Sequence, residues 1–358
     1  MIFIPRYLIV LFCLFSIMIF GQAPEGYYDR AENLADEALK AALNEIIDNH
    51  TTFTYTSSNT DVWDILKETD RDPNNSENVI LIYSGVSVNA AQEYNNREGW
   101  TREHIWAKSR GDFGTARGPG TDVHALRPLD NSTNSKRNNR SFNNCNTCKA
   151  VTDQWDNETG SQQDENDYSF EPRDAVKGDV ARMLFYMAVR YEGLDGYADL
   201  EFTELMLPQS DKQPIHGMLS TLLVWHKNDP VDAWEENRNN IIFKDYQKNR
   251  NPFIDFPVLA EHLWGTKIGA NWSKEVLSVE NFKETVLSVY PNPVANKLHL
   301  KGFGENSKIA IYNTVGKMVL TTQIDANNSV IDVSNFSGMF LIHVITAEKK
   351  TVKLIVIQ

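Results

Sequence analysis

Arg102-Glu103-His104-Ile105-Trp106, Asp122-Val123-His124-Ala125-Leu126-Arg127-Pro128 and Asn134-Ser135-Lys136-Arg137-Asn138-Asn139 follow one another within residues 102–139 of this 358-residue chain. The spacing predicts two strands, Trp100–Trp106 and Thr121–Leu126, joined by a loop carrying Gly111, Gly114, Gly118 and Gly120. A helix over residues 131–142 is expected next, starting near Asp130 or Asn131, residue types that cap helix N-termini. On a regular strand neighbouring side chains point to opposite faces. Glu103 and His104 can therefore share one site only if the strand ends or twists there, or if they work from two sides of a bound group.

The residue types in this unit suggest a chemistry. A neutral imidazole suits deprotonation of water near neutral pH. A carboxylate and an amide meet the modest demand of Mg²⁺, which keeps several waters and leaves room for anionic oxygens. Glu103 and Asn134 are the candidate metal pair, His104 the candidate base, and the expected reaction is phosphodiester hydrolysis. His124 alternates with apolar neighbours and reads as a packing or hydrogen-bonding histidine. A Glu-His dipeptide alone would be a weak signal; the joint pattern carries the reading.

The formal net charge of −13 at first argues against an anionic polymer as partner. Residues 97–140 depart from it, with nine basic groups against five acidic ones, a net +4. A basic groove in an acidic body attracts phosphates locally; a solvated charged face is the alternative. Arg6 precedes an apolar run from Tyr7 to Phe20 that ends at Gly21-Gln22-Ala23, the pattern of a signal peptide over residues 1–22. The run is shorter than the ~20 residues of a membrane span, so a mature protein without a stable span is expected. Cys145-Asn146-Thr147-Cys148 remains after that segment. A local disulfide is the expected state in an oxidising compartment; a redox dithiol, or a zinc site needing two further ligands, are the alternatives.

Elsewhere, helices are predicted over 28–48, around 62–66, over 179–191 with Asp179 as cap, over 215–225 and over 231–246, with a strand at 79–83. Residues 157–170 are polar and acidic and read as a surface loop. After about residue 280 the composition changes. Short β-rich runs at 298–300, 309–312, 318–320, 331–333, 340–345 and 352–357 are separated by turn residues. Residues 283–358 hold eight lysines against five acids, net +3, so the two parts are different modules. No repeat with a solenoid period occurs.

The three central blocks, Arg-Glu-His-Ile-Trp, Asp-Val-His-Ala-Leu-Arg-Pro and Asn-Ser-Lys-Arg-Asn, resemble the endonuclease I family, whose core is a ββα-metal (His-Me) finger. Gly26-Tyr27-Tyr28 agrees, as do Trp225, Asp229-Pro230-Val231, Glu235, Arg238-Asn239 and the run from Tyr246 to Asp255. The resemblance spans roughly residues 25–265. It implies His104 as general base, Glu103 and Asn134 as ligands of Mg²⁺ or another divalent cation, and DNA as substrate without sequence preference, with RNA as a second substrate. Ala107 stands where a proline is usual. The motif leaves the phosphate-holding arginine open among Arg110, Arg127 and Arg137, with Arg137 favoured because it shares the expected helix with Asn134.

The tail resembles the C-terminal sorting domain of type IX secretion through Tyr290-Pro291-Asn292-Pro293, the run Tyr312–Lys317, Gly338-Met339-Phe340 and Lys353-Leu354-Ile355-Val356, ending on Ile357-Gln358 where a further lysine is common. That resemblance implies a bacterial protein, secreted or held at the cell surface, whose partner is the type IX machinery. The expected organisation is α+β: a signal peptide at 1–22, a mostly helical nuclease domain at 23–275 around the metal finger, and a small immunoglobulin-like β-sandwich at 283–358. A catalytically silent, surface-displayed nucleic-acid-binding protein is the alternative. A metallopeptidase is disfavoured by the lack of a His-Glu-x-x-His helix.

Overall fold

The computed structural model describes residues 23–274, 288–301, 307–313, 317–324, 329–345 and 350–358. The expected signal peptide lies outside the described residues. The chain divides into two units, Met1–Lys274 and Glu275–Gln358.

In the first unit, α1 (Asp36–Ile47) buries Leu39, Leu43 and Ile47, while residues 28–35 form turns rather than the predicted start of this helix. α2 (Val62–Thr69) begins at a capping box between Asp61 and Asp64. A small antiparallel sheet follows, from β1 (Arg71–Asp72), β2 (Asn75–Ile80) and β3 (Ser87–Asn89). β4 (Trp100–His104) then pairs antiparallel with β5 (Leu126–Asp130), Glu103 opposite Arg127 and His104 opposite Leu126. α3 (Asn131–Arg137) follows at once, with the Asp130 side chain accepting from Thr133 N.

The second strand thus lies later than predicted. Val123–Ala125 is a 3-10 turn, because the Asp122 carboxylate caps His124 N and takes the hydroxyls of Tyr186 and Tyr191. α3 is also shorter than predicted, stopping where Asn138 adopts φ +51°.

Residues 157–170 form β-structure, contrary to the expected loop. β6 (Ser141–Phe142), β7 (Lys149–Thr152), β8 (Glu158–Asp164) and β9 (Ser169–Glu171) make one four-stranded sheet. Its inward residues on β8 are Thr159, Ser161 and Asp164, so no apolar alternation marks the strand. Their polar atoms are satisfied internally, Thr159 Oγ1 on the Val151 carbonyl and Ser161 Oγ on the Tyr83 carbonyl.

α4 (Lys177–Arg190) is the central helix, nearly all of its residues buried. It starts two residues before Asp179, which receives a hydrogen bond from Arg127 and does not cap the helix. β10 (Glu201–Phe202) and β11 (Ile215–His216) make a short parallel pair, so the helix predicted from 215 begins later, as α5 (Leu219–Asn228). α6 (Ala233–Ile241) is capped by Asp232 and runs into a wider π turn, Ile242–Tyr246. α7 (Pro252–Asp255) and α8 (Leu259–Trp264) close the unit. Among the described residues eleven strands in four sheets surround its helices, six of these strands two or three residues long, and the unit is mixed α and β rather than mostly helical.

Charged pairs tie the unit together. Arg182 bonds both oxygens of Glu235, and Arg250 both of Asp255, at 2.6–2.7 Å. Glu235, Arg250 and Asp255 come from the second sequence block, and in these pairs they hold elements of the fold together.

The second unit has a three-stranded sheet of β12 (Ser288–Tyr290), β13 (Lys297–Lys301) and β16 (Val330–Asp332). A four-stranded sheet has the order β15 (Met318–Ile324), β14 (Ser307–Asn313), β17 (Gly338–Ile345), β18 (Lys350–Ile357). Leu298, Leu300 and Ile331 from the first sheet share one core with Ile309, Ile311, Ile342, Val344 and Ile355 from the second. Each of the six predicted strands is present. Asn292 ties the Tyr-Pro-Asn-Pro segment to β18, donating to the Leu354 carbonyl and accepting from Val356 N.

Candidate active site

β4 and α3 form one wall of a cleft of about 390 Å³ whose lining includes Glu103, His104, Asn134, Arg137, Lys108 and Tyr55. Glu103 and His104 alternate along β4, yet both reach this cleft because His104 is the last residue of the strand. Asn134 reaches it from α3, one turn from the helix start.

His104 is almost wholly buried, its ring lying parallel to Tyr55 with centroids 5.6 Å apart. Its Nε2 lies 3.0 Å from the Gly120 carbonyl oxygen. A carbonyl can only accept, so Nε2 carries the proton and Nδ1 keeps its lone pair. Burial lowers the imidazole pKa to about 3, so the ring stays neutral at ordinary pH. The glycine loop places that carbonyl. A Cβ on Gly120 would lie 2.8 Å from the carbonyl oxygens of Gly114 and Ala116, and Gly118 adopts φ +106° against the Tyr197 ring.

Glu103 is 2% exposed. Its Oε1 accepts the Tyr83 hydroxyl at 3.0 Å and is ion-paired with Arg137 Nε at 3.2 Å. Burial raises its pKa to about 7, against the opposing pull of Arg137, Tyr83 and Lys108. Oε2 has no protein partner among the described residues, and the Asn134 side-chain amide likewise makes no hydrogen bond to them. Two hard oxygen donors left free toward one cleft suit a small divalent cation that retains water.

The three candidate arginines separate. Arg137 borders the cleft, but its guanidinium is engaged by Glu103, the carbonyls of Ile105 and Asn138, and His216. Arg127 is buried away from the cleft between Asp70, at 2.5 Å, and Asp179, at 3.2 Å. Arg110 is fully buried and donates to the carbonyls of Asp211, Asn139 and Leu207. Neither of these two can meet a substrate phosphate without vacating a buried partner. The cations that do face solvent here are Lys108, on the cleft, and Arg117, on an adjoining hollow that shares Tyr55. Arg117 sits in the glycine loop, whose wrap around β4 could not be read from spacing. His124 is buried, bonded to the Asn249 carbonyl and packed on Tyr186.

Cys145 and Cys148 are free thiols, which corrects the expected disulfide. Their Sγ atoms lie within 4.8 Å of each other but are unbonded, whereas a disulfide requires ~2.05 Å.

A strand pair and helix presenting a carboxylate, a neutral imidazole and an amide to one polar cleft are the equipment of a nuclease, a hydrolase of nucleic-acid backbones. Comparison with known proteins agrees, and the chain belongs to the Endonuclease I family, whose model matches residues 35–258. The extracellular ribonuclease of Bacillus subtilis (strain 168) is 50% identical over 240 residues, covering 66% of this chain and 78% of that protein. The extracellular ribonuclease of Bacillus amyloliquefaciens is 50% identical over 242 residues, 67% and 78% of the two chains. Endonuclease-1 of Buchnera aphidicola subsp. Baizongia pistaciae (strain Bp) is 28% identical over 134 residues, 37% of this chain and 46% of that one. Residues 288–358 match the secretion system C-terminal sorting domain, which makes this a secreted or cell-surface bacterial protein that uses the type IX machinery. Among the described residues no helix is long and apolar enough to cross a membrane.

Proposed function

We propose that this chain is an endonuclease that cuts DNA and RNA without sequence preference through a ββα-metal finger formed by β4, β5 and α3. Residues 1–22 are read as its signal peptide, and the tail as a sandwich of immunoglobulin-like type. The observation that carries the reading is the His104 Nε2 contact with the Gly120 carbonyl, which leaves Nδ1 as the basic nitrogen in the same cleft as Glu103 and Asn134.

In this reading Nδ1 takes a proton from an attacking water, while the Nε2 hydrogen bond prevents the ring from turning over or changing tautomer. Glu103 and Asn134 would hold one divalent cation, Mg²⁺ by the preference of oxygen donors, and such an ion neutralises charge on phosphate and on the leaving oxygen. Tyr83 and Arg137 fix the Glu103 carboxylate so that Oε2 stays directed to the cleft. Lys108 and Arg117 draw the polyanion in. Contacts of this kind go to phosphates, which carry no base information. Two relatives named as ribonucleases and one as an endonuclease support a substrate range that includes RNA.

The test is purified full-length protein incubated with supercoiled plasmid, single-stranded DNA and RNA, with Mg²⁺ or with excess EDTA. Cleavage of all three that stops with EDTA is expected. Binding without cutting, or cutting that survives EDTA, would sink the proposal.

A further inference from the structure

In sequence, Cys145 and Cys148 have no further metal ligand near them, but the fold supplies one. β6 and β9 run parallel with Phe142 opposite Phe170, which carries the next residue, Glu171, alongside the loop that bears both cysteines. One ligand atom from each of Cys145, Cys148 and Glu171 lies within 4.8 Å of the others. Tetrahedral zinc, with bonds of about 2.0–2.3 Å, needs ligand pairs roughly 3.3–3.8 Å apart, so modest side-chain rotations would close the set.

We propose that Cys145, Cys148 and Glu171 bind one thiophilic divalent cation of the zinc class, at a site that shares no residue with the catalytic cleft. Two thiolates select this class over Mg²⁺ and Ca²⁺, which prefer oxygen. The carboxylate is already oriented. Glu171 Oε2 accepts the Cys145 N–H at 2.8 Å, and Oε1 bonds Lys177 Nζ at 2.6 Å, the outer-shell support common to metal sites. The loop is anchored as well. Asp164 holds the Thr147 N–H and hydroxyl at 2.8 and 2.7 Å, and Asn144 Oδ1 accepts the Trp225 indole at 2.8 Å. Cys148 is exposed and Cys145 partly so, which gives an ion a way in and leaves the fourth position to water. The acidic group Glu192, Asp199 and Glu201 differs, because it offers no thiol and the Lys40 ammonium bridges two of its three carboxylates at 2.6 and 2.5 Å. Bound zinc would clasp the β6–β7 loop to β9.

The experiment uses the full chain, isolated from culture medium, then stripped with chelator under anaerobic conditions. Zn²⁺ is titrated by native mass spectrometry, and Co²⁺ by its thiolate-to-metal charge-transfer absorption. We expect one zinc per chain that depends on the cysteines, and a cobalt–thiolate band. C145S/C148S should abolish the band, and E171Q should weaken zinc binding by at least the roughly 10-fold usual for loss of an outer-shell partner. Both variants should keep the Mg²⁺-supported cleavage rate and the far-ultraviolet circular dichroism of the parent. Absence of a cobalt–thiolate band in the reduced chain overturns the proposal. So does isolation of the secreted protein with Cys145 and Cys148 joined as a disulfide, seen as a chain lighter by two hydrogens.

Discussion

Tyr83→Phe isolates how the candidate metal ligand is held. Tyr83 is fully buried in the main core beside Phe142 and Phe170, and its hydroxyl meets Glu103 Oε1 at 3.0 Å. Phenylalanine keeps the ring and its packing, so no large cavity opens and only the hydrogen bond is lost. A hydrogen bond to a charged group contributes about 1.5–3 kcal/mol. Each 1.36 kcal/mol is about a factor of ten, so cation affinity should fall about 10- to 100-fold, the range usual for outer-shell partners. Arg137 still grips the same oxygen, which places the expected loss toward the lower end. The Glu103 carboxyl, already near 7, should move higher, because the Tyr83 hydrogen bond pulls it down. The assay is the rate of plasmid cleavage against Mg²⁺ concentration, with thermal unfolding measured alongside. Half-saturation should move to higher Mg²⁺, with the saturated rate nearly preserved. An unchanged Mg²⁺ dependence, with or without a fall in Tm, would refute the positioning argument.

Other outcomes follow from the same geometry. His104→Ala should lower kcat by about 10²- to 10⁴-fold, the usual worth of a general base, while the protein still unfolds cooperatively; retention of near-parental kcat would remove His104 from the mechanism. In the pH profile, protons compete with the cation for Glu103, so the Mg²⁺ concentration for half-saturation should rise as pH falls below about 7. At saturating Mg²⁺ the rate should hold, because His104 stays neutral down to about 3; a pH-independent Mg²⁺ requirement contradicts this. Arg127→Met leaves Asp179 and one oxygen of Asp70 buried without this partner, and should cost about 3–5 kcal/mol of stability in denaturant titration. Its KM should stay unchanged, and a raised KM at normal stability would return Arg127 to the substrate. Lys108→Ala and Arg117→Ala should weaken binding of DNA and RNA alike, each reducing the salt slope by about 1; salt titrations of binding would expose any base-dependent effect.

The elements legible in the sequence are those whose burial follows one periodicity. α1, α2 and α4 carry apolar residues at helical spacing, and strands of the tail alternate between short turns, so their existence could be read directly. β8 could not, because its inward residues are a threonine, a serine and an aspartate satisfied by internal hydrogen bonds. The 3-10 turn at Val123–Ala125 was hidden for a related reason. Its cause is Asp122, whose partners Tyr186, Tyr191 and Gln247 are far away in sequence.

Residue identity by itself was enough to point to the nuclease class. A carboxylate, an imidazole and an amide at positions 103, 104 and 134 are covalent facts of the chain, and so is the divide between an acidic body and a lysine-rich tail. Tertiary structure decided which groups are free to act. Arg110 and Arg127 look as suitable for phosphate as Lys108 and Arg117 when read along the chain. Folding places the first two among carbonyls and carboxylates and leaves the other two facing water. The same holds for the candidate base His104, since only the wrap of the glycine loop puts a carbonyl on Nε2 and so leaves Nδ1 bare. The physical reason is that a charge or a tautomer is set by what surrounds it within hydrogen-bond reach, and those neighbours come from segments distant in sequence.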